Sequence, residues 1–213
     1  MHRSSDTQGF TLVEVVVTIA LIAVLIAIAL PNLTSYQLRQ DARGRTQQIA
    51  DALSTARADA IREGNQHFVL FHTPTTGSLT IVDDDNNNWL ADAGEETIVI
   101  DRSIWTNARV TPYGELANPP AATTVPEDFA GGGTIPVSPP VGTTFPIDPG
   151  TSTAAVGFNS RGVPVDINND TVWGSGQGSF YITDNETSVY AVTLLPLGAT
   201  RLRAYRSADD TWY

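Results

Sequence analysis

Five oxygen-bearing residues in one short stretch, Asp84, Asn86, Asn88, Asp92 and Glu95, are spaced as a calcium loop needs them. With Asp84 at position 1, Asn86 and Asn88 fall at positions 3 and 5. Leu90 offers a backbone carbonyl at 7, and Asp92 and Glu95 take 9 and 12. Two features oppose calcium: Trp89 stands where the loop's glycine is expected, and Thr97–Arg102, which follows, has strand character instead of helical. A solvated acidic hairpin tip is the competing reading. Magnesium or zinc has less support, because no histidine is near in the sequence. A second group, Arg201, Arg203 and Arg206, could contact nucleic-acid phosphates. Residues 201 and 203 share one strand face, which equally suits a solvated edge. A third candidate is a single carboxylate, Glu14, inside the otherwise apolar run Leu12–Leu30.

Catalytic chemistry finds no constellation. Of the three histidines, His2 lies near the N-terminus, while His67 and His72 are five apart on one expected strand and so point to opposite faces. No G-x-S-x-G phrase, phosphate loop or zinc motif occurs. Without cysteine there is no disulfide, thiol nucleophile or thiolate metal site. The expectation is a non-enzymatic protein.

The net charge is −11 over 213 residues, and every basic residue is arginine. Residues 64–200 carry fifteen acids against three arginines. Such an acidic body favours solubility and cation binding and argues against a broad nucleic-acid surface.

Nineteen helical residues from Leu12 to Leu30 would span about 28 Å, close to the ~30 Å hydrocarbon core of a bilayer. Three readings compete: a buried core helix, a cleaved secretory signal with Ala27-Ile28-Ala29 before the cut, and a retained transmembrane helix. Such a run exceeds the usual signal length and contains a carboxylate, which favours retention. Arginine balance does not orient it, since Arg3 precedes the run and Arg39, Arg43 and Arg45 follow it; a positive-inside count opposes the topology adopted below. Placing Glu14 at a bilayer centre would cost about 2.5–3.5 kcal/mol, less near an end. In the first turn it also meets the positive end of the helix dipole.

Beyond Pro31, which should kink the helix without ending it, no proline occurs through Glu63. Leu38, Ala42, Ile49, Leu53, Ala56 and Ala60 recur at steps of 4, 7, 4, 3 and 4, the spacing of one helix face. Asp41, Arg45, Gln48, Asp59 and Arg62 are expected opposite, Gly44 could loosen the helix locally, and Gly64 should stop it. From His67 the pattern changes to short strands: His67–Thr73, Ser78–Asp83, Thr97–Arg102, Ala108–Tyr113, Ala154–Asn159, Ser179–Thr183, Val189–Leu195 and Arg201–Tyr205, with a turn at Thr76-Gly77. The fold class expected is α+β: a long N-terminal helix, transmembrane then amphipathic, packed on an antiparallel β-sheet domain. Residues 117–152 hold eight of the thirteen prolines and read as an extended surface loop, either a binding element or an insertion without chemical consequence.

The phrase Gly9-Phe10-Thr11-Leu12-Val13-Glu14, the long apolar helix and Pro31 together resemble a type IV prepilin signal. That resemblance implies a leader 1–9, cleavage between Gly9 and Phe10 by prepilin peptidase, and methylation of the Phe10 amine. It further implies a transmembrane and assembly helix 10–31, an amphipathic helix 32–64 and a periplasmic β-rich domain 65–213, single-pass in the inner membrane. In such filaments the residue matching Glu14 is thought to meet the amine of a neighbouring pilin or pseudopilin subunit. Three further phrases, 51–64 (DALSTARADAIREG), 156–162 (VGFNSRG) and 197–203 (LGATRLR), resemble the GspH/FimT-type group of minor pseudopilins and minor pilins. The function implied is a minor pseudopilin of type II secretion. The alternative is a minor type IV pilin that binds and takes up DNA through Arg201, Arg203 and Arg206.

Overall fold

The structure, a computed structural model, describes residues 10–71, 78–101, 110–113, 122–128, 133–136, 142–148, 153–184 and 188–213. One helix, α1 (Leu12–Glu63), is followed by short strands. These are β1 (Gln66–Phe71), β2 (Ser78–Asp84), β3 (Thr97–Asp101), β4 (Thr111–Pro112), β5 (Ile147–Asp148) and β6 (Thr153–Phe158). After them come β7 (Pro164–Val165), β8 (Gly178–Thr183), β9 (Ser188–Leu194), β10 (Thr200–Arg206) and β11 (Thr211–Trp212). The helix runs through Pro31. By its contacts the chain divides into two units, residues 1–37 and 38–213.

In the first unit, every described side chain from Phe10 to Ile28 is exposed. Valine, leucine and isoleucine at this density cannot be left in water, so this stretch is long and apolar enough to cross a membrane.

In the second unit, the six positions expected to form the packed face, Leu38, Ala42, Ile49, Leu53, Ala56 and Ala60, are all buried. Two antiparallel sheets cover this part of the helix. One is ordered β3-β2-β1-β6-β5 with β7 beside β6, the other β11-β10-β9-β8-β4. Alternation assigns the faces: Val69 and Phe71 of β1 join the helix-side core, while Phe68 and Leu70 pack in a separate cluster with Val82 and Ala155. Phe71 links the two sheets, stacking on Phe145 at 4.9 Å and Phe180 at 5.3 Å.

The polar face of α1 departs from expectation chiefly at Arg45, with Asp59 half-buried. Asp41, Gln48 and Arg62 are exposed, but Arg45 is buried and its guanidinium donates to the Val110 carbonyl. Arg45 lies only ~60° around the helix from Ala42. Cover from two sheets buries a wider arc than a single apolar stripe, drawing in Arg45 and Thr46. Gly44 has open space at its Cβ position, so packing does not demand a glycine there.

Strand boundaries agree with expectation to within about two residues over the described parts, except that only Thr111–Pro112 of the fourth expected strand pairs. β5, β7 and β11 are two-residue strands with no periodic signal to betray them. Residues 72–73, 102 and 108–109, the Thr76-Gly77 turn and much of 117–152 lie outside the described residues.

Candidate functional site

The start of α1 is closed by its own side chains. Thr11 precedes the helix; its N–H and its hydroxyl both donate to Glu14 Oε2, at 3.2 and 3.1 Å. In return the Glu14 N–H donates to Thr11 Oγ1 at 3.2 Å. This is a reciprocal capping box, and it satisfies N–H groups that a first helical turn leaves unpaired. The sequence carried the signal, a threonine three residues before a glutamate at the edge of an apolar run, but sequence reasoning assigned Glu14 to membrane cost, the helix dipole and assembly and missed the cap. Phe10 is 87% exposed. Gly9, the other residue of the expected cleavage pair, lies outside the described residues.

In the expected calcium loop, the oxygens serve the chain itself. Asp84 is buried; its Oδ1 accepts from the Asn88 N–H at 3.0 Å and its Oδ2 from the Trp89 N–H at 2.7 Å. Asn86 and Asn88 turn their amide nitrogens, not their oxygens, to Asp92 Oδ2, at 2.9 and 2.8 Å. Those two hydrogen bonds hold the Asp92 carboxyl below its ordinary range. Glu95 Oε2 accepts from the Asp92 N–H at 2.9 Å. Trp89 does adopt the left-handed backbone (φ 61°) that a glycine would favour. Its ring lies over Gly157, where an added Cβ would come within 2.3 Å, and its Nε1 donates to Asp170 at 3.0 Å. The stretch is a hairpin tip tied down by carboxylate-to-backbone bonds.

The C-terminal arginines also have partners. Arg203 pairs with Glu127 Oε1, and Arg201 Nη1 approaches the same oxygen at 3.3 Å. Arg206 lies 3.4 Å from Asp209 and stacks over the Tyr213 ring at 5.1 Å. A phosphate would therefore compete with three in-chain contacts. Burial pushes the Glu127 carboxyl up, but hydrogen bonds from Arg203, its own backbone N–H and Arg201, with the Arg203 charge, hold it below the usual glutamate range. A carboxyl depressed on folding stabilises above its unfolded pKa, and that contribution is lost as pH falls through the folded value. Glu127→Gln is expected to cost about 1 kcal/mol at pH 7, discounted for partial exposure, and nothing at an acid pH below the depressed folded value. Urea midpoints of variant and parent at the two pH values check this.

One grouping was invisible along the chain. α1 ends at Glu63; Gly64 (φ 71°) donates its N–H to the Ala60 carbonyl at 3.1 Å and turns the chain into β1. The β1–β2 register then sets His67 opposite Asp83. His67 is buried, with Nε2 3.3 Å from Glu63 Oε2 and 3.6 Å from Asp83 Oδ1. Asn65 Nδ2 donates to Asp83 Oδ1 at 3.1 Å, and Arg62 Nη2 donates to Glu63 Oε1 at 2.6 Å. Burial pushes the Asp83 carboxyl up, His67 pulls it down, and Asp85 and Glu63 add to the rise, which prevails. A small cavity of about 60 Å³ opens beside the three residues, against Ile81 and Glu96. His72, the other strand histidine, lies outside the described residues.

Comparison with known proteins places the N-terminal geometry. Residues 4–30 match the family model described as the prokaryotic N-terminal methylation motif, a stretch that includes Glu14 and the apolar run. Long helix and antiparallel sheets together make an α+β fold. Among solved structures the chain is similar to the minor pseudopilin EpsH from the Type 2 Secretion System of Vibrio cholerae. That likeness has 14% identity and a TM-score of 0.39, over 76% of this chain and 95% of that one. At those values it carries no argument about function. No curated protein matches the chain.

Proposed function

We propose that the protein is a minor pseudopilin, a structural subunit that enters the short filament of a type II secretion system and supports protein export. The observation that carries this reading is the methylation motif over residues 4–30, with an apolar helix start exposed from Phe10 to Ile28 and a carboxylate in its first turn. Prepilin peptidase would cut between Gly9 and Phe10 and methylate the new amine, and the 38–213 body would stand in the periplasm. An exposed apolar helix has two favourable environments, the bilayer before assembly and a bundle of like helices after it. In the bundle, Glu14 would exchange its bond to Thr11 for the charged amine of a neighbouring subunit. A charge buried without a partner is strongly destabilising, so such pairing would fix the register between subunits.

The three sequence phrases noted above are common to minor pseudopilins and minor pilins; the pseudopilus is preferred because the acidic body disfavours the DNA-binding alternative. DNA uptake through Arg201, Arg203 and Arg206 is the less favoured reading, since Glu127 and Asp209 already meet these charges. Mass spectrometry of the protein purified from native membranes tests the processing step. The expected product begins at N-methylated Phe10. A product beginning at Leu30 would mean the apolar helix is a discarded signal, and the reading would fall.

A further inference from the structure

We propose that Glu63, His67 and Asp83 form a binding site for a divalent transition-metal ion of the zinc class, which staples the end of α1 to the β1–β2 hairpin. The donor set is one imidazole nitrogen and two carboxylate oxygens, whose ligand atoms lie within 4.8 Å of one another. With zinc–ligand distances of about 2.0–2.1 Å, tetrahedral geometry places neighbouring donors about 3.3–3.4 Å apart. The two separations from His67 Nε2 are 3.3 and 3.6 Å. Charge-assisted N–H···O bonds are shorter, about 2.7–2.9 Å. The spacing therefore suits an ion between the three groups better than a tight imidazole–carboxylate hydrogen bond.

Charge and support agree with this assignment. Two carboxylates and a neutral imidazole are balanced by one divalent cation. Asn65 holds Asp83 Oδ1 and Arg62 holds Glu63 Oε1, the kind of outer contact that orients metal ligands. A fourth position can open to the adjoining cavity of about 60 Å³, which has room for a water ligand. Calcium and magnesium fit less well, since they require about six or more oxygen donors. Among the described residues this is the one group of three or more acids and histidines so closely convergent. The chain has no cysteine. A metal would thus supply the cross-link that a disulfide supplies elsewhere.

The site does not depend on the filament role. Its test uses the full chain in detergent, stripped with chelator and titrated with cobalt(II). The expected result is saturable binding of one equivalent with the visible absorption of tetrahedral cobalt, displaced by zinc. Zinc at about a hundred times its Kd should also raise Tm by about 5 °C. Glu63→Gln, at an exposed position, should weaken cobalt binding about tenfold or more and remove the Tm shift; His67→Gln should abolish both. Absence of saturable binding by the parent chain overturns the proposal. So does binding undiminished in both variants, which would put the ion elsewhere, for example on His72 or the Asp84–Glu95 stretch.

Discussion

Arg57→Ala is expected to lower the Tm of the full chain by about 5–10 °C, more than any other single surface-accessible change considered above. Arg57 Nε donates to the Gly162 carbonyl at 2.9 Å and its Nη2 to the Leu197 carbonyl at 3.0 Å. One side chain on the helix thereby holds two turns, 105 and 140 residues away along the chain. Both turns need glycine. Gly162 (φ 70°) and Gly198 (φ 80°) are left-handed, and a Cβ at Gly198 would come within 2.7 Å of both Arg57 Nε and the Gly162 carbonyl oxygen. Each charge-assisted bond contributes about 1.5–3 kcal/mol. Partial exposure lets water replace some of that, leaving a net cost of about 2–4 kcal/mol. Lysine has one ammonium and no fork, so Arg57→Lys should recover at most about half. A Tm for Arg57→Ala within about a degree of the parent would show that the turns are held by something else.

The second large effect falls on assembly. Glu14→Ala should reduce incorporation into filaments at least about tenfold while leaving membrane levels of the protein near the parent's. Alanine removes the capping box, worth about 1 kcal/mol to the helix start, and also any charge to meet an amine. Glu14→Gln separates the two roles. Glutamine can complete a capping box with Thr11 but cannot neutralise a cation. If charge pairing sets the register, Glu14→Gln fails as Glu14→Ala does, in both filament co-purification and secretion of exported protein. If Glu14→Gln assembles like the parent, Glu14 acts by capping its own helix and the pairing role is wrong.

Arg57 also gives a physical reason for the three phrases that carry the family resemblance. The helix phrase at 51–64 contributes Arg57, the phrase at 156–162 ends on Gly162, and the phrase at 197–203 begins with Leu197 and Gly198. They are far apart in the chain and meet at one guanidinium. Spacing alone marked each as a local pattern and could not show that they share a contact.

Elements governed by local geometry were legible in the sequence by itself. These are the apolar run, the six buried positions between Leu38 and Ala60, the glycine stop at 64 and most of the strands. Helix and strand periods follow from backbone geometry within a few residues, so a linear chain displays them. Partnerships across the fold were not legible. Glu127 pairs with Arg201 and Arg203 from 74 and 76 residues away, Val110 receives the buried Arg45, and Asp83 faces His67 only because strand register sets them opposite. A one-residue slip in that register would turn Asp83 to the other face of its sheet. Which oxygens stay free for a ligand and which are spent on the chain itself is thus decided by tertiary packing, where desolvation forces each buried polar group to find a partner.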